Sequence, residues 1–320
     1  MNVKSVFLTE LSHRVEEVYF SLKNFGLKRK GPWSGEKMIV HVVENGHFYS
    51  GGMADRFKGA VTAFAWSKSN GTGFRMKYVH PFDLSDYLEP AEYDWRLKDD
   101  EWTEDIRDVR VLYARGEPGR RLLGVKPRRQ IHYYGNMNCL DLINTVYGTD
   151  YDWGTLYREL FRPGKRLEAC LEEQRKSIGG QGYIAAVFRF QNMLGDFKEY
   201  SFKALESEQE KEELIVKCLE AVQKLTSEWP DTRILVTSDS ATFLSRVSSL
   251  DSVYVIPGKV VHLGSEEGED YDVYMKSFVD FYMLSESRRV YCIGTSDMYP
   301  SEFPMYAAKI NDVPFERILI

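Results

Sequence analysis

The spacing of apolar and polar positions changes along this chain, and the changes mark out its elements. Leu11, Val15, Val18, Tyr19 and Leu22 recur at helical spacing, with Thr9 or Ser12 placed to cap the helix. Residues 38–43, MIVHVV, read as a buried strand. Residues 54–67 read as a helix behind the pair Gly51-Gly52, residues 74–79 as a further strand, residues 80–88 as a loop with a short helical turn, and residues 130–134 as a short strand. Residues 156–171 read as helical around Pro163-Gly164, where a domain boundary is expected. Beyond it the pattern becomes regular: helix 167–178, strand 183–189, helix 206–229, strand 233–237, helix 241–247, strand 253–256, helix 271–285 and strand 290–294. In the long helix Leu214, Ile215, Cys218, Leu219, Val222 and Leu225 share one side. Strands alternating with helices predict an α/β fold with a doubly wound parallel sheet. The expected organisation is an α/β lobe over residues 1–163 and a Rossmann-like lobe over residues 164–320.

Composition narrows the function. A chain of 320 residues is long enough for two domains, each with its own core. Its net charge of -6 argues against nucleic acid as a partner. Residues 1–20 lack the basic start and apolar core of a secretory signal, and no apolar run is long enough to span a bilayer, so the expected location is cytoplasmic. Cys139, Cys170, Cys218 and Cys292 form no CxxC pair and are expected to be reduced, buried thiols. The six histidines are scattered, with no HExxH, so no metal site is expected.

Familiar phosphate-binding patterns fail on spacing. No GxGxxG follows a strand, and Gly31-Pro-Trp-Ser-Gly35-Glu-Lys37 is one residue short of a P-loop and lacks its final Ser or Thr. Two Asp-x-Asp triplets, Asp150-Tyr151-Asp152 and Asp270-Tyr271-Asp272, have the form that holds a metal and a diphosphate in one class of glycosyltransferases, a pattern that also arises by chance. Residues 93–102, rich in acids and tryptophan, and residues 115–129, rich in Arg, Lys, Gly and Pro, read as exposed connections; their Trp and Tyr faces could also stack on sugar rings.

Three strand ends carry polar groups that suit an anion: Arg189, then Ser238-Asp239, then Thr295-Ser296 with Ser301 nearby. Ligands of open α/β sheets sit at the carboxyl ends of the strands, and an arginine fork can hold two oxygens at once. Such an arrangement fits a nucleotide diphosphate, with Asp239 either on a ribose or base edge or serving only as a helix cap. Gly195-Asp196 follows Arg189 on its loop, and Gly51-Gly52 is either a close-approach loop or a tight turn.

Taken together, these segments resemble the fucosyltransferase superfamily of two-lobed GT-B fold, which includes the α-1,6-, α-1,2- and protein O-fucosyltransferases. Its first motif, HxRxG(D/N) after a strand, is similar to Val187-Phe188-Arg189-Phe190 with Gly195-Asp196 displaced onto a longer loop. Its second, a strand running into (T/S)D, resembles Ile234-Leu235-Val236-Thr237-Ser238-Asp239. Its third, a strand and then S-x-F-S, resembles Ile293-Gly294-Thr295-Ser296 through Tyr299-Pro300-Ser301-Glu302-Phe303, and the N-terminal GG loop resembles Gly51-Gly52 with Asp55-Arg56. Two departures stand out: Val187 takes the place of the motif's histidine, and the S-x-F-S segment is incomplete.

The resemblance implies transfer of fucose from GDP-fucose to a glycan hydroxyl with inversion, needing no metal and no cofactor besides the donor. It assigns Arg189 to the β-phosphate, Ser296 and Ser301 to phosphate hydrogen bonds, Asp239 to the guanine or ribose end, and Ser238 and Thr295 to the donor site. Gly51-Gly52 and Asp196 would line the donor, and Asp55, Glu44 or Asp196 would take the acceptor's proton. Trp66, Trp95 and Trp102 of the first lobe would build the acceptor surface. The alternatives are a transferase for another nucleotide sugar, and a non-catalytic nucleotide- or glycan-binding protein of the same fold.

Overall fold

Met38–Val43 (β1) is buried at every residue, as a strand covered on both faces must be. The computed structural model describes residues 3–27, 36–45, 50–114, 129–180, 182–196, 204–258 and 271–320. The P-loop-like stretch from Gly31 to Gly35, the basic connection 115–128 and Asp270 of the second acidic triplet lie outside the described residues. Contacts divide the chain into two units, Met1–Arg162 and Pro163–Ile320.

In the first unit β1 sits inside a four-stranded parallel sheet with Gly73–Tyr78 (β2), Val109–Ala114 (β4) and Gln130–Gly135 (β5), in the order β2-β1-β5-β4. Leu88–Pro90 (β3) pairs with Phe161–Pro163 (β6) in a small separate ladder. Met53–Asn70 (α2) is buried along most of its length. It comes so close to β5 that a Cβ at Gly59 would run into the Gly135 carbonyl, which is why a residue of poor helix propensity sits mid-helix.

The N-terminal helix, Val3–Asn24 (α1), meets the sheet with a different face from the one its sequence suggests. Phe20 packs edge-on against Phe25, Tyr113 and Tyr134, and the buried Glu17 accepts a 2.8 Å hydrogen bond from the Tyr113 backbone N–H on β4. The apolar stripe Leu11, Val15, Val18, Tyr19 and Leu22 faces solvent, each residue 49–67% exposed. The physical reason is that β4 is the last strand of its sheet: its outward N–H needs an acceptor, and Glu17 on the polar helix face supplies it. At the opposite margin, β2 directs the Phe74 N–H to the Tyr93 hydroxyl (2.8 Å) and the Met76 N–H to the Trp95 carbonyl (2.7 Å).

The expected helix over 156–171 is in fact two helices. Leu140–Tyr147 (α3) and Trp153–Leu160 (α4) precede β6, and Lys165–Ile178 (α5) follows it. Phe161 is already extended, and Pro163, without an N–H, cannot continue a helical ladder. Asp152 of the first acidic triplet accepts a hydrogen bond from the Thr155 N–H (2.8 Å) and caps α4, so its acidity serves the helix.

The second unit is the regular one. Ile184–Phe188 (β7), Ile234–Ser238 (β8), Val253–Tyr254 (β9), Val290–Gly294 (β10) and Phe315–Leu319 (β11) form a parallel sheet in the order β11-β10-β7-β8-β9. Glu208–Glu228 (α6), Ala241–Val247 (α7), Tyr271–Ser285 (α8) and Phe303–Ile310 (α9) connect the strands. Ser207 and Glu210 form a capping box at the start of α6. Leu214, Ile215, Cys218, Val222 and Leu225 on that helix pack with Ile184, Ala186, Ile234 and Val236 of the sheet into one core. Burial raises the Cys139 and Cys218 thiols to about 11 and about 12, which keeps them protonated and unreactive.

Two buried histidines make the first unit acid-sensitive: His132 on β5, which burial and Lys77 hold well below the usual imidazole range, and His41. His41 on β1 is 1% exposed, and its Nε2–H donates to the Gly135 carbonyl (3.0 Å) while Nδ1 has no partner. Burial lowers its pKa to about 4, against the Gly135 bond, which raises it, and with Arg56, which lowers it further. A histidine lowered from 6.5 in the unfolded chain is neutral when folded, so it stabilises above that value and the stability is lost as pH falls toward 4. The expected loss between about pH 7 and about pH 5 is about 2 kcal/mol from this residue. Urea unfolding at the two pH values measures it. His41→Gln keeps an N–H donor without a titratable ring and is expected to weaken the dependence by His41's share, leaving that of His132; an unchanged slope in that variant rules His41 out as a contributor.

Candidate functional site

The strand order of the second sheet reverses between β7 and β10, and such a switch point opens a crevice beyond the carboxyl ends of the strands. Arg189 follows β7 directly, and Thr295 and Ser296 follow β10. The structure therefore brings the first and third predicted strand ends to the same side of one sheet. Ser238-Asp239 ends the neighbouring strand β8, in register with β7 through the Phe188–Ser238 pair.

Asp239 organises this region. One carboxylate oxygen accepts from the Phe190 N–H (2.8 Å) and lies 3.5 Å from the Ser238 hydroxyl; the other accepts from the Gln191 N–H (2.7 Å) and pairs with Arg189 Nη1 (3.0 Å). Burial pushes its pKa above the ordinary carboxylate value, with Arg189 and the two amides pulling the other way. Its acceptor positions are thus taken up within the protein. The Arg189 side chain is 18% exposed, against 1% for that of Asp239, so the arginine presents the accessible part of the pair.

The loop after Arg189 holds an unusual conformation. Gln191 has φ +52° in the left-handed region, which a side-chain-bearing residue adopts only when its surroundings fix it. The fixing contact is the bond from its N–H to Asp239, and the residue is 3% exposed. Sequence reasoning passes over Gln191 because Phe-Gln-Asn carries no glycine or turn signature. Farther along the loop, Asp196 accepts from the Ser240 hydroxyl and the Thr242 N–H, both at 2.8 Å, while Ser240 caps α7 through the Phe243 N–H (3.0 Å). Asp196 and Asp239 therefore tie the loop after β7 to the loop after β8 at two points.

The third strand end is more open. Ser296 is exposed and Thr295 half-buried, whereas Ser301 is buried, its hydroxyl accepting from the Phe303 N–H (3.3 Å) at the start of α9.

In the first unit, Gly51-Gly52 lies on the connection after β1, and the strand order there also reverses, between β1 and β5. Gly51 has φ +75°, and a Cβ there would collide with the Asp55 carboxylate. Gly52 caps α2, and its N–H donates to Asp55 (3.1 Å), which also pairs with Lys58 (2.7 Å). Arg56 is buried and donates to the Gly51 carbonyl, the Tyr78 hydroxyl and the His80 carbonyl, so it braces the glycine turn. Glu44 accepts from Lys77 and from the Tyr134 hydroxyl, each at 2.7 Å.

The expected tryptophan platform is not there as drawn from sequence. Trp66 and Trp95 are each 2% exposed, because both pack into the core of the first unit, and neither offers a ring face to a sugar. Trp102 is half-buried and stacks on the buried His132 at 3.9 Å, with Lys77 Nζ 4.3 Å from its ring centre. Among the described residues, no group of three His, Cys, Asp or Glu side chains is placed to hold a metal ion, and no helix is long and apolar enough to cross a membrane.

No protein-family model matches the chain, and no curated protein matches it in sequence. Solved structures do. The α-1,6-fucosyltransferase NodZ, in crystals soaked with GDP-fucose, aligns with a TM-score of 0.54 at 14% identity over 86% of this chain and 93% of its own. NodZ from Bradyrhizobium in selenomethionine form aligns with a TM-score of 0.55 at 12% identity, over 86% and 92%. A variant of Arabidopsis thaliana FUT1 in complex with GDP aligns with a TM-score of 0.58 at 13% identity, over 94% of this chain and 74% of its own. This chain has the GT-B fold of these fucosyltransferases.

Proposed function

We propose that this protein is a glycosyltransferase that moves fucose from GDP-fucose to a hydroxyl of a glycan acceptor, with inversion and without a metal. The observation that carries the reading is Arg189 at the switch point of a parallel sheet, held by the buried Asp239 carboxylate, in a chain with a fucosyltransferase fold.

The acceptor oxygen attacks the anomeric carbon of fucose, the bond from that carbon to the β-phosphate oxygen breaks, and GDP leaves with the bonding pair. Negative charge gathers on the β-phosphate, and a fixed cation stabilises it most when nothing must reorganise at that moment. Arg189 meets this demand through its pairing with Asp239, which makes Asp239 a positioning residue. Thr295 and Ser296 supply hydroxyls to the phosphates from the adjacent strand end, with Ser301 behind them; Ser238 and Asp196 keep the two loops in place. The turn at Gly51-Gly52 permits close backbone approach to the donor. Asp55 is our choice for the base that takes the acceptor's proton: its side chain is 38% exposed and is held in place by Lys58 and the Gly52 N–H. The first unit would then serve the acceptor. A cytoplasmic setting accords with the buried thiols of Cys139, Cys218 and Cys292.

One observation favours a second reading. Val187, buried on β7, stands where the fucosyltransferase motif has its histidine, so that position holds no titratable or hydrogen-bonding side chain. A non-catalytic protein of the same fold would bind the nucleotide without turning it over. Calorimetric titration with GDP, GDP-fucose, GDP-mannose and UDP-glucose, followed by an assay for sugar release, tests both readings. Binding of the GDP ligands together with fucose release is expected. Binding without release selects the second reading, UDP-glucose as the preferred ligand replaces the donor, and failure of every nucleotide to bind refutes both.

A further inference from the structure

We infer that the outward face of α1 pairs with the same face of a second copy of this chain. The stripe it presents, Leu11, Val15, Val18 and Leu22, has alternating spacings of four, three and four residues. That is the a/d repeat of two helices packed side by side, in which each side chain enters a hole on the facing helix. These residues are 49%, 62%, 58% and 67% exposed, and Tyr19 beside them is 64% exposed. The opposite face of the same helix, His13, Glu17 and Phe20, is buried on its own unit, so α1 is already anchored and offers the stripe as a preformed surface.

Three features of the stripe specify a second copy as its occupant. First, it is self-complementary. In an antiparallel pair Leu11 meets Leu22 of the partner copy and Val15 meets its Val18; in a parallel pair each residue meets its own counterpart. Second, the positions flanking the seam are Ser12, Arg14, Tyr19 and Ser21, so an antiparallel pair sets Arg14 beside a serine and a parallel pair sets it beside a tyrosine; neither juxtaposes like charges. From Leu11 onward the helix also balances Arg14 and Lys23 against Glu16 and Glu17, without the basic polar face that anionic lipid surfaces select. Third, the area suits a reversible pair. Fully burying a Val or Leu side chain removes roughly 60–120 Å² of apolar surface, so five residues exposed to about this degree offer roughly 200–400 Å² per copy. That is the size of the largest apolar patch on an ordinary monomer and at most about half of the roughly 800 Å² per partner of a standard interface. The pair is therefore expected to be weak and to gain population toward the top of the concentration range tested.

The test is the solution mass of the full chain from about 1 to about 100 µM, by light scattering or sedimentation equilibrium. The mass of the native chain is expected to rise from 37.1 kDa toward twice that value, and the double variant Val15→Glu/Val18→Glu to stay at 37.1 kDa with an unchanged melting temperature, since both positions are exposed. A native chain that remains at 37.1 kDa throughout overturns the inference, as does association that survives in the double variant. Binding of the monomer to anionic vesicles, lost in the same variant, would assign the stripe to a lipid surface instead.

Discussion

Arg189→Ala is expected to lower fucosyl transfer about 10²- to 10³-fold, the loss that follows removal of one group aimed at charge developing in the transition state. Because the side chain is paired with Asp239 in a buried setting, its removal also leaves that carboxylate with two backbone amides as its strongest remaining partners, so some stability goes with it. Arg189→Lys separates the two effects. The lysine keeps a positive charge beside Asp239 but lacks the planar fork that holds two phosphate oxygens, so the fold should melt as in the native protein while turnover falls. Initial rates of transfer, with thermal unfolding followed by circular dichroism, report both quantities. Native turnover in Arg189→Ala would remove Arg189 from the mechanism.

The second large effect is on stability. Asp239→Ala takes away the acceptor of the Phe190 and Gln191 amides and the counter-charge of Arg189 in one step. Breaking one side of a buried charged network costs about 3–5 kcal/mol. The loss should fall on the unit Pro163–Ile320 alone, so urea unfolding is expected to split into two transitions, with the early one belonging to that unit. Gln191 is the local witness: without Asp239 its N–H loses the acceptor that holds its left-handed conformation, and the loop should relax. A change in midpoint below about 1 kcal/mol would mean that the amides find other partners and that Asp239 is no anchor.

Much of this architecture is legible in the sequence where local pattern and tertiary role coincide. Strands such as 184–188 and 234–238 are fully buried, and an apolar run says so directly. The apolar side of α6 read from sequence is the side that packs on the sheet. Where the two part, the reading fails for reasons visible in the structure. α1 carries a polar face inward, to satisfy the Tyr113 N–H, and its better-patterned stripe outward. Trp95 is buried although tryptophan next to acids suggests an exposed connection. β11 has the burial of an edge strand, with Glu316, Arg317 and Leu319 exposed, so its sequence FERIL lacks the apolar run that marks the central strands.

The candidate site divides in the same way. Residue type at a strand end identifies Arg189 and Asp239, but not that the second spends its acceptors on the first and on its loop. That relation spans 49 residues between Phe190 and Asp239, beyond the reach of any local pattern.

The two margins of the first sheet bear on how copies of this chain meet at high concentration. An uncovered strand edge is a template on which another chain can add a strand, and from there an aggregate can grow. Here the Tyr113 amide on β4 is taken by Glu17, and the Phe74 and Met76 amides on β2 by the Tyr93 hydroxyl and the Trp95 carbonyl. An incoming strand would have to displace a buried carboxylate at one margin and a bridged loop at the other. The sheet is thereby guarded against strand exchange, and α1 does double service, closing a ladder with one face while it leaves the other open to contact.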